Sequence, residues 1–188
     1  LPQFPAEVMI ETTTAARAHR STQKRVLLLG ATGTIGRATA RALVERGHDV
    51  VCFVRPRAGV HGALTPDQCA RLLPGATLRF GDVTVPGSLA RDGFRGEPFD
   101  AVVSCLASRT GAPGDAWAVD HRANSLALAA ARDRGVTHFV LLSAICVQKP
   151  LLAFQQAKLA FERELVESGL TYSIVRPTAF FKSLSGQF

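Results

Sequence analysis

Three glycines spaced three residues apart directly follow a short apolar run and precede a segment with helical periodicity. Glycine is needed where the backbone turns with positive φ, or where a phosphate approaches too closely for a Cβ atom. The N-terminus of the following helix would offer unpaired N–H groups to that anion. The loop therefore predicts a site for the pyrophosphate of a dinucleotide. Its predicted contact residues are Gly30, Thr32, Gly33, Thr34, Ile35 and Gly36.

Two arginines follow the second predicted strand, where a dinucleotide-binding fold distinguishes NAD from NADP. Arg55 lies 19 residues after Gly36, and Arg57 follows it, whereas Asp49 lies at the other end of the strand. A carboxylate at this point would accept from the ribose 2′-OH of NAD, and an arginine would accommodate the 2′-phosphate of NADP. The pair favours NADPH as the cofactor. The alternative is that both are ordinary loop arginines.

Asp82 follows the third predicted strand, at an end that borders the same crevice. It could accept a hydrogen bond from the adenine amino group, or it could cap the short turn before Pro86. The neighbouring strand ends add Val83, Leu106 and Ala107 to the predicted cofactor contacts.

A serine and a lysine are associated with the fifth predicted strand and the helix that follows it. Ser143 lies at the end of the strand, and Lys158 lies on the helix, four residues after Phe154. With the glycine loop, this arrangement resembles the extended and atypical branches of the short-chain dehydrogenase/reductase superfamily. That resemblance implies a Tyr-x-x-x-Lys pair on this helix, with the lysine ammonium on the nicotinamide ribose hydroxyls. Lys158 would be the catalytic lysine, with Ser143 beside the cofactor. The alternatives are a solvated lysine and a serine that bonds its own backbone.

Phe154 occupies the position of the tyrosine in that pair, and the single tyrosine, Tyr172, belongs to the sixth predicted strand. Phenylalanine has no proton to exchange, so alcohol and carbonyl chemistry is disfavoured. Reduction of a carbon–carbon double bond conjugated to a large π system makes a different demand. The hydride adds to the terminal carbon, charge spreads into the ring system, and a proton arrives later. The substitution favours this second chemistry.

Four segments carry a closer resemblance: residues 104–109 (SCLASR), 146–152 (CVQKPLL), 154–158 (FQQAK) and 176–185 (RPTAFFKSLS). They resemble the divinyl chlorophyllide 8-vinyl reductase family. That resemblance implies NADPH as reductant and a chlorophyll or bacteriochlorophyll precursor, divinyl chlorophyllide or protochlorophyllide, whose 8-vinyl group becomes ethyl. Two alternatives remain: a catalytically silent NADP-binding regulator of the NmrA kind, and an isoflavone-reductase-like enzyme.

Other candidates allow two interpretations each. Asp120 and Asn124 match an Asp-x-x-x-Asn pattern of extended members, or they are polar positions that bond loop backbone. Phe180 and Phe181 could line a flat apolar pocket for the macrocycle, or pack in the core. Trp117 is expected to pack in the core rather than against a ligand.

Short, wholly apolar strands alternate with segments of helical spacing from Arg25 onward. Such strands belong to a parallel sheet that is covered on both faces. The alternation predicts an α/β, doubly wound parallel sheet of the Rossmann kind, with about six strands and helices on both faces. The predicted strands are 25–29, 50–54, 77–80, 101–105, 139–142 and 171–175, and the main predicted helices are 34–46, 116–134 and 151–168.

Composition narrows the class of protein. The 188 residues are 47% hydrophobic, which suffices for one packed domain. The longest apolar run, Leu126–Ala131, is far too short to cross a membrane. Peripheral association with a membrane surface remains compatible with the sequence. The net charge of +7 favours anionic partners, but one Trp and one Tyr offer little base stacking, so nucleic acid is disfavoured. The oligomeric state is not predicted.

Cysteine usage and the two ends complete the expectations. No cysteine or histidine has metal-ligand spacing, so no metal site is predicted. Cys52, Cys105 and Cys146 are expected to be buried, which fits a reducing cytoplasm of a phototrophic bacterium, with a plastid as the alternative. Residues 1–23 are expected to form a flexible tail and 24–188 an NADP-binding domain, with its C-terminal substrate lobe largely absent.

Overall fold

The computed structural model describes residues 23–58, 64–110 and 112–178. Six strands in this part of the chain form one parallel sheet: β1 Arg25–Leu29, β2 Asp49–Val54, β3 Thr77–Phe80, β4 Ala101–Ser104, β5 His138–Leu142 and β6 Thr171–Val175. Their order in space is β3-β2-β1-β4-β5-β6. The chain thus builds outward from β1 to one edge, then returns to the other side of β1 and builds to the opposite edge. The resulting crevice lies at the carboxyl ends of the neighbouring strands β1 and β4, where the connections that leave these two strands run toward opposite edges of the sheet.

Helical segments connect the strands. A first π-helical segment, Leu89–Phe94, lies between β3 and β4, and a second, Trp117–Ala123, joins α3 to α4 without a break in the helical path. The α-helices are α1 Thr34–Glu45, α2 Pro66–Leu72, α3 Pro113–Ala116, α4 Asn124–Asp133 and α5 Ala153–Glu167.

The core consists of two apolar clusters, one on each face of the sheet. Alternation along β1 shows the division, because Leu27 and Leu29 belong to one cluster whereas Val26 and Leu28 belong to the other. Side chains of α4 and α5 fill the first cluster, and side chains of α1 and α2 fill the second. Helices therefore pack on both faces of the sheet, which confirms the predicted doubly wound α/β fold, although the edge strand β6 is largely exposed.

The structure differs from the sequence prediction at several element ends. The helix predicted over 116–134 starts earlier, at Pro113, whose ring suits the first turn of a helix. The helix predicted over 151–168 starts later, at Ala153, because the Gln155 side chain accepts from the backbone N–H groups of Leu151 and Leu152 and ends the preceding loop. The α2 helix and the segment Leu89–Phe94 were not predicted.

One burial prediction is wrong. Cys146 is exposed and adopts a left-handed φ of 63° in the turn that follows β5. The turn carries it out of the apolar layer that its sequence neighbours suggested. Cys52 is buried as expected, and Cys105 is partly buried. The predicted tail, residues 1–23, falls outside the described residues except for Gln23, and so does the segment 179–188 with Phe180 and Phe181.

Candidate functional site

The glycine loop packs tightly against both the strand end beside it and the helix after it. Gly30 has a φ of +74°, and a Cβ atom there would lie 2.5 Å from the carbonyl oxygen of Cys105. A Cβ atom on Gly36 would lie 2.1 Å from the carbonyl oxygen of Gly30. The N–H of Gly33 donates to that same Gly30 carbonyl at 3.1 Å. Side chains are therefore excluded at Gly30 and Gly36, because the end of β4, the glycine loop and the first turn of α1 pack backbone against backbone.

The first turn of α1 has the features of an anion site. Gly33 is the N-cap residue and has no side chain to accept from the first-turn N–H groups. This turn contains no Asp or Glu that would compensate the positive end of the helix dipole. Thr34 is exposed, and Thr32 and Ile35 are half-buried. The uncapped turn therefore has the geometry to bind a phosphate through N–H groups.

Arg55 and Arg57 are exposed directly after β2, at the carboxyl edge of the sheet. Partial burial lowers the pKa of Arg109, and the nearby charge of Arg55 lowers it further. Asp115 balances part of this charge, and hydrogen bonds from the backbone N–H groups of Thr110 and Arg109 hold the pKa of its carboxyl below the usual range. The structure thus places positive charge from two loops beside the glycine loop. Sequence reasoning did not single out Arg109.

The candidates after β3 have different surroundings. Oδ1 of Asp82 accepts from the backbone N–H and the hydroxyl of Thr84, at 2.9 and 2.7 Å, so the carboxylate does cap its own turn. A contact with adenine would have to use its other oxygen. Val83 is buried in the core cluster that contains Leu27.

The residues after β4 lie at the crevice. Leu106 packs at the border of the core, Ala107 is exposed, and the backbone carbonyl of Leu106 faces the α5 helix, where it accepts from Lys158.

Ser143 directly follows β5, and its hydroxyl is buried. Its backbone N–H donates to the carbonyl of Val175 at 2.8 Å, which fixes the residue against β6. Its Oγ has no hydrogen-bond partner within the described parts of the chain. The alternative in which this hydroxyl bonds its own backbone is therefore not what the structure shows. A buried unpaired hydroxyl costs about 1–3 kcal/mol, which a ligand could recover.

Lys158 is buried, with 5% of its surface exposed, so it is not a solvated lysine. Its Nζ lies 3.0 Å from Oδ1 of Asp120, 3.2 Å from the carbonyl oxygen of Leu142 and 3.3 Å from that of Leu106. An ammonium group has three N–H donors. These three acceptors match them: Leu106 follows β4, Leu142 ends β5, and Asp120 lies on the helical segment Trp117–Ala123. Lys158 thus links three neighbouring parts of the carboxyl edge.

Asp120 and Asn124 form the buried polar layer beneath this lysine. The hydroxyl of Ser104 donates to Oδ1 of Asn124 at 2.6 Å, and Nδ2 of Asn124 donates to the carbonyl of Asp120 at 3.0 Å. The carboxylate of Asp120 also accepts from the backbone N–H of Ser108, at 3.3–3.4 Å. Neither sequence interpretation of the Asp-x-x-x-Asn pattern predicted the contact between Asp120 and Lys158. The sequence indicated only two polar residues on an otherwise apolar helix face.

A group of exposed apolar side chains lies on the loop between β5 and α5, directly after Ser143. Leu151 is 88% exposed, and Ile145 and Leu152 are also exposed. Hydrogen bonds fix the shape of this loop, because Ile145 donates to the carbonyl of Pro177 and both leucines donate to Gln155. The apolar side chains are thus held outward, and Lys149 stands exposed among them. We call these three residues, Ile145, Leu151 and Leu152, the apolar loop surface.

Two further residues are placed by the structure. Trp117 is exposed and contacts the ring of His121, with centroids 5.4 Å apart, so it does not pack in the core as expected. Arg176, after β6, binds the buried carboxylate of Glu162 through two nitrogens, and this pairing raises its pKa. That ion pair fixes the end of β6 to α5.

The residues present fit a dinucleotide. The glycine loop packs directly on the first turn of α1, that turn is uncapped, and the buried Ser143 hydroxyl has no partner among the described residues. Among the described residues, no group of three or more His, Cys, Asp or Glu side chains is arranged to hold a metal ion. No helix in the described ranges is long and apolar enough to cross a membrane.

Comparison with known proteins agrees with this fit. A profile of the NAD(P)H-binding family matches residues 30–187. A chloroplastic divinyl chlorophyllide a 8-vinyl-reductase of Cucumis sativus is 49% identical over 96% of the chain, and one of Oryza sativa subsp. indica is 52% identical over 92%. The chain spans about half the length of these relatives, 44% and 45% respectively.

A solved structure with the same fold is an NAD-dependent epimerase/dehydratase from Bacillus halodurans. It superimposes with a TM-score of 0.68 over 82% of this chain and 70% of its own, at 23% identity. At this identity the likeness concerns the fold alone.

Proposed function

Because the chain belongs to the NAD(P)H-binding family, we propose that it is the cofactor-binding part of an NADPH-dependent reductase of a chlorophyll precursor. The reaction would convert the 8-vinyl group of divinyl chlorophyllide, or of its protochlorophyllide counterpart, to an ethyl group. The observation that carries this proposal is the identity of 49–52% with two named 8-vinyl-reductases over nearly the whole chain. Since those proteins are about twice as long, the activity is proposed for the whole protein.

The pyrophosphate of the cofactor would lie on the glycine loop and the first turn of α1. Gly30 and Gly36 allow the loop to pack directly on β4 and α1, which positions the first turn, and the uncapped turn supplies N–H donors. NADPH rather than NADH is proposed because Arg55 and Arg57 follow β2, where a carboxylate would otherwise bind the ribose 2′-OH. The 2′-phosphate would meet these two guanidinium groups.

The rest of the cofactor would extend along the carboxyl edge of the sheet in both directions from this loop. On the adenine side, Asp82 and Val83 would border the base. On the nicotinamide side, Leu106, Ala107 and Ser143 would border the ring and its ribose, and the Ser143 hydroxyl would gain the partner that it lacks among the described residues. When bound there, NADPH supplies the hydride.

Lys158 would bind the nicotinamide ribose hydroxyls and is the proposed catalytic lysine. Because its three N–H groups already match three acceptors, a ribose hydroxyl must replace one of them. The carbonyl of Leu106, at 3.3 Å, is the most distant of the three, so we expect this contact to be replaced. The contact with Asp120 would be kept.

Phe154 fits the proposed reaction because vinyl reduction needs no acid beside an alkoxide. Hydride addition to the terminal vinyl carbon leaves a carbanion whose charge is delocalised over the macrocycle. Protonation at the neighbouring carbon, from solvent, completes the ethyl group. The side chains of the site would therefore orient the two reactants. No proton donor is needed at the position that Phe154 occupies on the helix.

The apolar loop surface is the proposed support for the macrocycle. Exposed leucines held outward beside an enzyme crevice mark a surface that something apolar covers. A chlorophyllide has a flat apolar ring and a free carboxylate, and Lys149 could pair with that carboxylate at the rim. Such a substrate would sit next to Ser143, at the end of the cofactor that carries the hydride. The proposed location is the chlorophyll-forming compartment, either the cytoplasm of a phototrophic bacterium or a plastid.

The test is to incubate the protein, expressed from its complete reading frame, with NADPH and divinyl chlorophyllide, and to follow the pigment absorption. We expect a blue shift of the Soret band together with oxidation of NADPH, since removing the vinyl group shortens the conjugated system. Tight NADPH binding without turnover of divinyl chlorophyllide or protochlorophyllide would instead favour the silent regulator. Reduction of an isoflavone but not of a tetrapyrrole would favour the third interpretation.

A further inference from the structure

A buried ion pair joins two helical segments beneath the crevice. Asp120 has 1% of its surface exposed and Lys158 has 5%, and Nζ lies 3.0 Å from Oδ1. Burying two charges costs several kcal/mol per ion, and their attraction offsets this only when the geometry is good and the remaining atoms are bonded. Such a pair therefore does not by itself indicate a gain in stability. Its place at the cofactor crevice suggests another use.

The remaining bonds of the pair show what it holds. The carboxylate of Asp120 also accepts from the backbone N–H of Ser108, in the loop after β4. Lys158 donates to the carbonyl of Leu106 in that same loop and to the carbonyl of Leu142 at the end of β5. Both strand ends border the nicotinamide side of the crevice. The ion pair thus fixes the ammonium between the two segments that a bound nicotinamide ribose would touch.

Without the carboxylate, the ammonium would keep two carbonyl acceptors among the described residues. One of these, the carbonyl of Leu106, is the contact that a ribose hydroxyl would replace. The lysine would then be left with a single fixed acceptor, and its flexible stem carries several rotatable bonds. Asp120 is the partner that no ligand needs to replace, so it can hold the ammonium in one position before and after binding.

We propose that Asp120 is a positioning residue for the cofactor: its carboxylate holds the Lys158 ammonium at the ribose site and thereby sets the affinity for NADPH without touching it. This inference depends on nucleotide binding and on the proposed role of Lys158. It does not depend on which compound is reduced, so absence of vinyl reduction with normal NADPH binding would leave it intact.

A double-mutant cycle on NADPH binding tests the proposal. Asp120→Asn removes the charge and keeps an oxygen that can accept from Ser108, and Lys158→Met keeps the length of the buried stem. We expect Asp120→Asn to weaken NADPH binding on the order of tenfold in the wild-type protein, measured by fluorescence titration. In the Lys158→Met background, the same substitution should change the dissociation constant by less than about twofold.

Asp115→Asn is the matched control. Asp115 lies on the same connection and bonds the backbone N–H groups of Arg109 and Thr110, but it is not a partner of Lys158. Its effect on NADPH binding should be the same with and without Lys158→Met. Equal weakening by Asp120→Asn in both backgrounds, or no weakening in the wild type, would overturn the proposal.

Asp120→Asn alone leaves a buried, poorly compensated lysine and could prevent folding. In that case the thermal unfolding of the double variant decides. Recovery of a cooperative transition on adding Lys158→Met supports the pairing. An equally unfolded double variant contradicts it, because Asp120 would then stabilise the fold independently of Lys158.

Discussion

The α-carbon of Gly36 lies so close to Gly30 that a Cβ atom on Gly36 would be 2.1 Å from the Gly30 carbonyl oxygen. The first turn of α1 therefore packs directly on the loop that leaves β1. Real Cβ atoms do not approach a carbonyl oxygen to this distance. The contact fixes the position of the N–H groups at the start of α1 relative to the strand, which is the geometry that a bound pyrophosphate needs.

Gly36→Ala should separate α1 from the loop. We expect NADPH binding to weaken by at least about tenfold, and stability to fall by about 1–3 kcal/mol, because backbone on both sides must move. Isothermal calorimetry and thermal denaturation measure the two effects. Gly114→Ala is the control, since a Cβ atom there would meet nothing within 4 Å and its φ is not positive. A Gly36→Ala variant that binds NADPH normally would refute the proposed phosphate site.

Arg55→Ala should raise the KM for NADPH far more than the KM for NADH. The side chain is proposed to meet the 2′-phosphate, which only NADPH carries, and a hydrogen bond to a charged group is worth about 1.5–3 kcal/mol. This predicts roughly a 10- to 100-fold selective loss. Arg134→Ala, an exposed arginine just beyond α4, should change neither value. Equal increases for the two nucleotides would contradict the assignment of NADPH specificity.

Phe154→Tyr should leave the rate of vinyl reduction within about threefold of the wild type. The hydroxyl would stand one helical turn before Lys158, but the proposed reaction uses no acid at this position. Single-turnover kinetics with NADPH and divinyl chlorophyllide measure the rate. An acceleration of ten times or more, on the order expected for a placed general acid, would mean that proton donation limits the reaction and that the account of Phe154 is wrong.

The native protein should have one rapidly reacting thiol, Cys146, among the cysteines that the structure describes. Burial raises the pKa of Cys52 to about 12 and also raises those of Cys69 and Cys105, so few of these thiols ionise at neutral pH. Reaction with an aromatic disulfide, followed by absorbance, should show a fast phase that Cys146→Ser removes. Persistence of the fast phase in that variant would contradict the exposed position of Cys146.

Much of the fold could be predicted because the signals are local. The strands β1, β3 and β6 begin and end at the predicted residues, and the glycine spacing predicts the loop before α1. A parallel strand that is buried on both faces is apolar along its whole length. This pattern differs from the spaced apolar residues of the helices. The alternation of strands and helices then predicts the doubly wound parallel sheet, whereas the strand order was not predicted and comes from the structure.

The buried polar layer could not be predicted in the same way. Asp120 and Lys158 are 38 residues apart, and nothing near either residue shows that both are buried or that they meet. The exposure of Cys146 depends on a turn in which this cysteine adopts the left-handed conformation, and cysteine rarely does so. The apolar neighbours of Cys146 in the sequence suggested burial instead. The start of α5 depends on one side chain, Gln155, which bonds two preceding N–H groups.

The most direct test of the central claim follows the hydride itself. The protein from the complete reading frame is given divinyl chlorophyllide and NADPH that carries deuterium at both C4 positions, and the pigment is analysed by mass spectrometry. The account predicts a product with one deuterium in a new ethyl group, formed in equal amount to the oxidised cofactor. Pigment that keeps its 8-vinyl group, or an ethyl product without deuterium, would contradict it.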